Sequence, residues 1–188
     1  MEISSQPLTF NFSHFEFLTL HTGQHDKFMA ACETEDDIGV VLRLHLMLEK
    51  DLEAWCICAS QNNNIFRGFG ENLNLDFSAK NQLAFNFGLS ESLNKLIKRF
   101  NKIRNVRAHQ IDSFALTDPE IESLTSLASQ HYPDNLLAVN EFQIQIRGGE
   151  PLSFTDKGTP NRLKLVMLYS VLKMRMCDEA LRMIGRKL

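Results

Sequence analysis

Between Lys95 and His109 the chain concentrates the side chains best suited to handling a phosphate. Lys95, Lys98, Arg99, Lys102, Arg104 and Arg107 place six of the 20 Lys and Arg residues within 13 positions, and His109 follows. A guanidinium is a forked, permanently charged donor for phosphate oxygens, and an imidazole exchanges a proton near neutral pH. Together they supply the two abilities that RNA cleavage without a metal requires, and the cluster around them attracts a phosphate backbone. Asn105 and His109 are four residues apart, on one face of a helix, with Arg104 next to that face. A relaxed helix end here would let Arg104, Asn105 and His109 surround one small anion. The competing reading is a solvated helix face, with Arg104 tied to Glu49 and His109 capping the last carbonyls.

Helices must hold these residues, and their signals are readable. After Thr34-Glu35-Asp36-Asp37, whose oxygens suit a helix N-terminus, Val41, His45, Leu48, Leu52, Trp55 and Ala59 recur at spacings of four and three. That is one buried face of a helix ending near Ser60-Gln61-Asn62-Asn63-Asn64, with His45 on it as a satisfied core histidine. Ser78 is read as the cap of a shorter helix reaching about Phe87, stopped by Gly88. Ser90 opens the basic helix, whose buried stripe is Leu93, Leu96, Ile97, Phe100 and Ile103. Thr117-Asp118-Pro119-Glu120 combines a capping box with a first-turn proline, ahead of Ile121, Leu124 and Leu127 or Ala128. Phe142, Ile144 and Ile146 alternate before Gly148-Gly149, as a short strand or an irregular arm. A long helix over about 160–186 then carries Leu163, Val166, Met167, Ser170, Met174, Cys177, Leu181 and Ile184. The Phe-rich start from about Leu8 to Leu20 fits neither a clean strand period nor a clean helix period.

With 188 residues, 44% of them hydrophobic, and a net charge of −3, the chain reads as one globular domain over residues 1–188 with a core of its own. Cys56 and Cys58 lack the spacing of a zinc knuckle, so these two, Cys32 and Cys177 are expected to be reduced and mostly buried. No signal-peptide pattern or apolar run of ~20 residues is present, so a cytoplasmic protein with no membrane partner is expected. Gly68-Phe69-Gly70 lacks the spacing of a dinucleotide loop, and no zinc-protease, hydrolase or P-loop motif appears. No cofactor and no metal are expected.

The order of an acidic helix start, His45-Leu46-Met47-Leu48-Glu49, Leu75-Asp76-Phe77, a Gly88-Leu89-Ser90 break and Ile103-Arg104-Asn105-Val106-Arg107-Ala108-His109 resembles the HEPN superfamily. Within that superfamily it is similar to the mannitol-repressor-like branch. The likeness covers about residues 35–130, with four residues between the motif's Arg and His. It implies an all-α helical bundle with N- and C-terminal elaborations, paired as a homodimer with the two motifs facing across a cleft. It further implies a metal-independent RNA endonuclease, of a kind often found as a toxin or defence effector with an antitoxin or other regulatory protein as partner. In that scheme Arg104 holds the scissile phosphate, His109 is the general base or acid, and Asn105 orients one of them. Lys95, Lys98, Arg99, Lys102 and Arg107 would line the RNA, and Glu49 would support Arg104. The alternative carried by the same resemblance is a non-catalytic transcriptional regulator or interaction module.

Overall fold

A computed structural model describes residues 9–21, 23–68, 71–72, 75–109, 115–130, 133 and 135–185. The fold is all-α, as expected. Its helices are α1 (Phe12–Glu16), continued by a π-helical turn at Phe17–His21, α2 (Gln24–Cys32), α3 (Asp37–Ser60), α4 (Phe77–Asn86), α5 (Glu91–His109), α6 (Asp118–Ala128) and α7 (Asn161–Met183). Two short antiparallel ribbons decorate them. Arg67–Gly68 (β1) pairs with Glu71–Asn72 (β2), and Gln143–Ile144 (β3) with Leu152–Ser153 (β4). Of the alternating Phe142–Ile146 segment only Gln143–Ile144 is strand, with Ile144 opposite Leu152, and the rest is irregular.

Helix boundaries follow local chemistry. Asp36 caps α3 by accepting from the Gly39 N–H at 2.6 Å, and Gln61 closes it with a left-handed φ of 52°. At α4 the cap is Asp76, which accepts from the Ala79 N–H at 2.7 Å, and not Ser78. A carboxylate is the stronger partner for the positive end of a helix, and Ser78, displaced by one turn position, is left to bond elsewhere. Gly88, at φ 91°, ends the turn after α4. Ser90 Oγ accepts from the Leu93 N–H at 3.2 Å and starts α5. Glu120 fastens the start of α6, accepting from the Thr117 N–H and hydroxyl at 2.9 Å each.

The core is one continuous cluster drawn from both ends of the chain. The α3 seam from Val41 to Ala59 and the α5 stripe from Leu93 to Ile103 are buried, as is Ala128 of α6. The Phe-rich start belongs to this core: Phe15 is fully buried, edge-on to Trp55 at 5.9 Å, with Phe10 4.9 Å from the same indole. Helix α7 packs against α3, α5 and α6, and against the short α1 and α2. Its expected stripe gives a narrower picture than the structure. Ser170, Met174, Cys177 and Ile184 are half-buried, while Leu165, Leu168, Leu172 and Met176 lie deepest. A helix surrounded by others is apolar on most sides and shows no single stripe.

Two polar groups drawn deep into this core, Arg175 and Asp51, are paired across helices. Arg175, 2% exposed, donates to the Ala128 carbonyl at 2.9 Å, the Gln130 carbonyl at 3.3 Å and Ser92 Oγ at 2.8 Å, so α7 caps the end of α6. Asp51 of α3 accepts from Tyr169 Oη at 2.8 Å and from Lys173 Nζ. Burial pushes Asp51 up from the usual carboxylate range, against the pull of Lys173 and Tyr169. All four cysteines are free, with burial raising Cys56 and Cys58 to about 12, so neither is a thiolate at neutral pH.

Candidate functional site

Helix α5 carries the basic residues singled out by the sequence, and its packing sorts them onto different faces. Its apolar stripe docks on α3, one flank meets α4 and the other meets α6. The remaining face is solvent. Glu91, Lys95, Lys98, Lys102 and Asn105 are all exposed and recur at spacings of four, three, four and three, which makes them a single ridge. Lys95 is paired with Glu91 at 2.8 Å on that ridge. Lys98 and Lys102 form no ion pair among the described residues. Both are exposed cations open to an outside anion.

Arg104 lies half-buried beside the ridge, on the side of α3. Its Nη1 donates to the Asn105 side-chain oxygen at 3.0 Å, which turns the guanidinium toward the solvent edge. Its Nε is buried and has no hydrogen-bond partner among the described atoms. Arg99 is half-buried on the other flank, also with an unpartnered Nε. His109 is helical in its backbone and in register with the ridge, four residues after Asn105. The helix does not relax before His109. At roughly 100° per residue, positions 104 and 109 are about 140° apart around the axis. Arg104 thus meets Asn105 through its side chain, and the helical backbone carries position 109 onto the ridge.

Two other residues of the expected site are engaged by neighbouring helices. Arg107, read as an RNA contact, is 6% exposed and bonds Glu120 of α6, three positions into that helix. It points away from the ridge because position 107 is about 160° around the helix from position 105 and toward the core edge. Glu49, read as the support of Arg104, instead meets Lys80 Nζ at 2.6 Å, as does Glu53. Glu49 and Glu53 stand one turn apart on α3, and Lys80, only 8% exposed, requires that counter-charge. Burial alone would lower the Lys80 ammonium, but the two carboxylates hold it above its ordinary value.

What the sequence reading missed is the polar joint beneath Arg104. His45 of α3 is 7% exposed, stacks on the Phe77 ring at 4.2 Å and bonds Asn101 Oδ1 through Nε2 at 3.0 Å. Asn101 Nδ2 in turn donates to Ser78 Oγ at 3.2 Å. One chain of side chains thus ties α3, α5 and α4 together a single turn before Arg104. A second joint lies one heptad earlier, where the Asn81 and Asn94 amides each donate to the other's carbonyl at 3.2 Å. The signal was an asparagine at 94 and again at 101, both flanking the apolar stripe. Burial holds His45 below an ordinary imidazole, Asn101 and Glu49 oppose this, and Arg104 reinforces it.

Among the described residues, no group of three or more His, Cys, Asp or Glu is arranged to hold a metal ion, and no helix is long and apolar enough to cross a membrane. In comparison with known proteins, the chain matches no family model, no curated protein and no solved structure.

Proposed function

We propose that the protein is a HEPN-type endoribonuclease that cuts RNA without a metal, working as a homodimer with α5 as its RNA-binding face. The observation that carries this reading is the exposed ridge of Lys95, Lys98, Lys102 and Asn105, which runs in register to His109 with Arg104 beside it. Lysines at this spacing follow a phosphate backbone, and Arg104 offers a forked donor at the ridge's end. In the reaction the ribose 2′-oxygen attacks the phosphorus and the bond to the 5′-oxygen breaks. His109 takes the 2′-hydroxyl proton or delivers one to the leaving oxygen, while Arg104 stabilises charge on the phosphate. Because positions 104 and 109 diverge on a regular helix, the pairing of an Arg with a His falls to two copies, with Arg104 from one and His109 from its partner. Such an enzyme suits a cytoplasmic toxin or defence effector held in check by an antitoxin.

Cleavage of single-stranded RNA in excess EDTA is expected from the purified protein, with loss of cleavage in His109→Ala. Equal cleavage by that variant removes the mechanism. A second reading draws on the uninterrupted helix through His109: a non-catalytic HEPN-like regulator, similar to the mannitol-repressor branch, that uses the ridge to bind. It predicts RNA binding with no cleavage under any condition, and equal loss of binding in Arg104→Ala and Lys102→Ala.

A further inference from the structure

The joint formed by His45, Asn101 and Ser78 sits one turn from Arg104 and has no part in the cleavage step above. Its hydrogen bonds have a direction. Asn101 Nδ2 donates to Ser78 Oγ, so Asn101 presents its oxygen to His45 and Nε2 of the imidazole carries the hydrogen. That leaves Nδ1 as the basic nitrogen. The Phe77 ring stacks on one face of the imidazole at 4.2 Å.

The charges facing His45 are few. From α3 comes Glu49, one turn further along; from α5 comes Arg104; from α4 comes Lys80, paired with that Glu49, while the α4 side chains in the joint itself, Phe77 and Ser78, are neutral. Burial of the ring is what chiefly discourages a second positive charge here, and the Arg104 guanidinium adds to it. Arg104 is also the side chain that an RNA phosphate would neutralise. We infer that phosphate binding at Arg104 is coupled to protonation of His45, one proton passing from solvent to Nδ1 as the anion is seated. This rests on the reading of α5 as an RNA-binding face. It makes His45 a positioning residue of that face, held off the substrate by Arg104, and it makes RNA affinity rise as pH falls. The sign follows from linkage: a group more basic in the complex than in the free protein takes up a proton on binding, which strengthens binding at lower pH.

The test is fluorescence anisotropy with a labelled oligouridylate at constant ionic strength, from about pH 5.5 to about pH 8, across the range where imidazoles titrate. His109→Asn is present in every protein, so that the ridge histidine contributes no slope and the RNA stays intact. In this background affinity should rise toward lower pH, at most about tenfold per unit for one linked proton. Adding His45→Gln, whose amide can still donate to Asn101, should keep the affinity measured near pH 8 and flatten the slope. Equal slopes with and without the His45→Gln substitution would overturn the coupling. Should His45→Gln unfold, NMR titration of the His45 ring with and without the oligouridylate decides: an upward shift of its midpoint on binding supports the coupling, and an unmoved midpoint overturns it. No oligouridylate binding at any pH is a different failure, visible in the affinity itself, and it removes the RNA reading along with the coupling.

Discussion

Arg107 of α5 and Glu120 of α6 form an ion pair at the edge of the core, with the Arg107 side chain 5% exposed and the Glu120 side chain 14%. Glu120 also accepts from the Thr117 N–H and hydroxyl, so one carboxylate both starts α6 and fastens it to the basic helix. The pair holds Arg107 at the joint between the two helices, away from the exposed ridge of α5.

Removing the arginine strands a partly buried carboxylate. Arg107→Ala should lower unfolding free energy by about 3 kcal/mol, the scale for breaking a buried pair from one side. Denaturant unfolding measures it, and a loss under about 1 kcal/mol would place the pair among surface salt bridges.

The same pair sets a pH dependence. Burial raises Glu120, but the Thr117 N–H and hydroxyl and the Arg107 guanidinium outweigh it, holding the carboxyl below its ordinary 4.5. A depressed carboxyl stabilises the fold above its unfolded value and loses that stabilisation as pH falls through the folded one. Stability should therefore decline below about pH 4.5, and Glu120→Gln should make the decline shallower. Unfolding curves of the two proteins, compared from neutral pH downward, check this; parallel curves would show that Glu120 contributes nothing to acid sensitivity.

Lys98 and Lys102 stand on the ridge with no internal ion pair among the described residues. Replacing both with alanine should leave thermal stability within about 0.5 kcal/mol, as for exposed residues. RNA affinity should fall at low salt, and the slope of log affinity against log salt should drop by about 0.7 for each lysine removed. An unchanged slope would mean that the ridge does not touch the backbone.

Phe15 ties the Phe-rich start to Trp55 and lies under Lys173, whose ammonium is 5.8 Å from its ring. Phe15→Ala should cost about 3 to 5 kcal/mol, as for a fully buried aromatic side chain. A loss near zero in denaturant unfolding would show that this segment is an ornament on a self-sufficient core.

The long helices were legible because one apolar face each was enough to mark them. Val41, His45, Leu48, Leu52, Trp55 and Ala59 define α3 in the sequence and in the core alike. Helix α7 was legible as a helix but not in its orientation, since burial on most sides erases the stripe. The N-terminal phenylalanines were not legible, because a short helix running into a π-helical turn follows no single period. In the candidate site, the ridge lysines and Arg104 could be read from charge and spacing. The split between Lys102, exposed, and Arg107, captured by Glu120, could not: it depends on where α6 packs, a contact between positions 13 apart in the chain. His45 and Asn101, 56 residues apart, are likewise joined only by the fold.

Mixing two inactive variants tests the proposal most directly. Arg104→Ala and His109→Ala homodimers each lack one member of every site, but their heterodimer rebuilds one intact site from the Arg104 of one chain and the His109 of its partner. Equal mixtures, unfolded and refolded together, should cleave single-stranded RNA in EDTA at about a quarter of the unmodified rate, since half the dimers are mixed and each has one of two sites. A mixture as inactive as its components, alongside an active unmodified protein, would contradict a site shared between two copies.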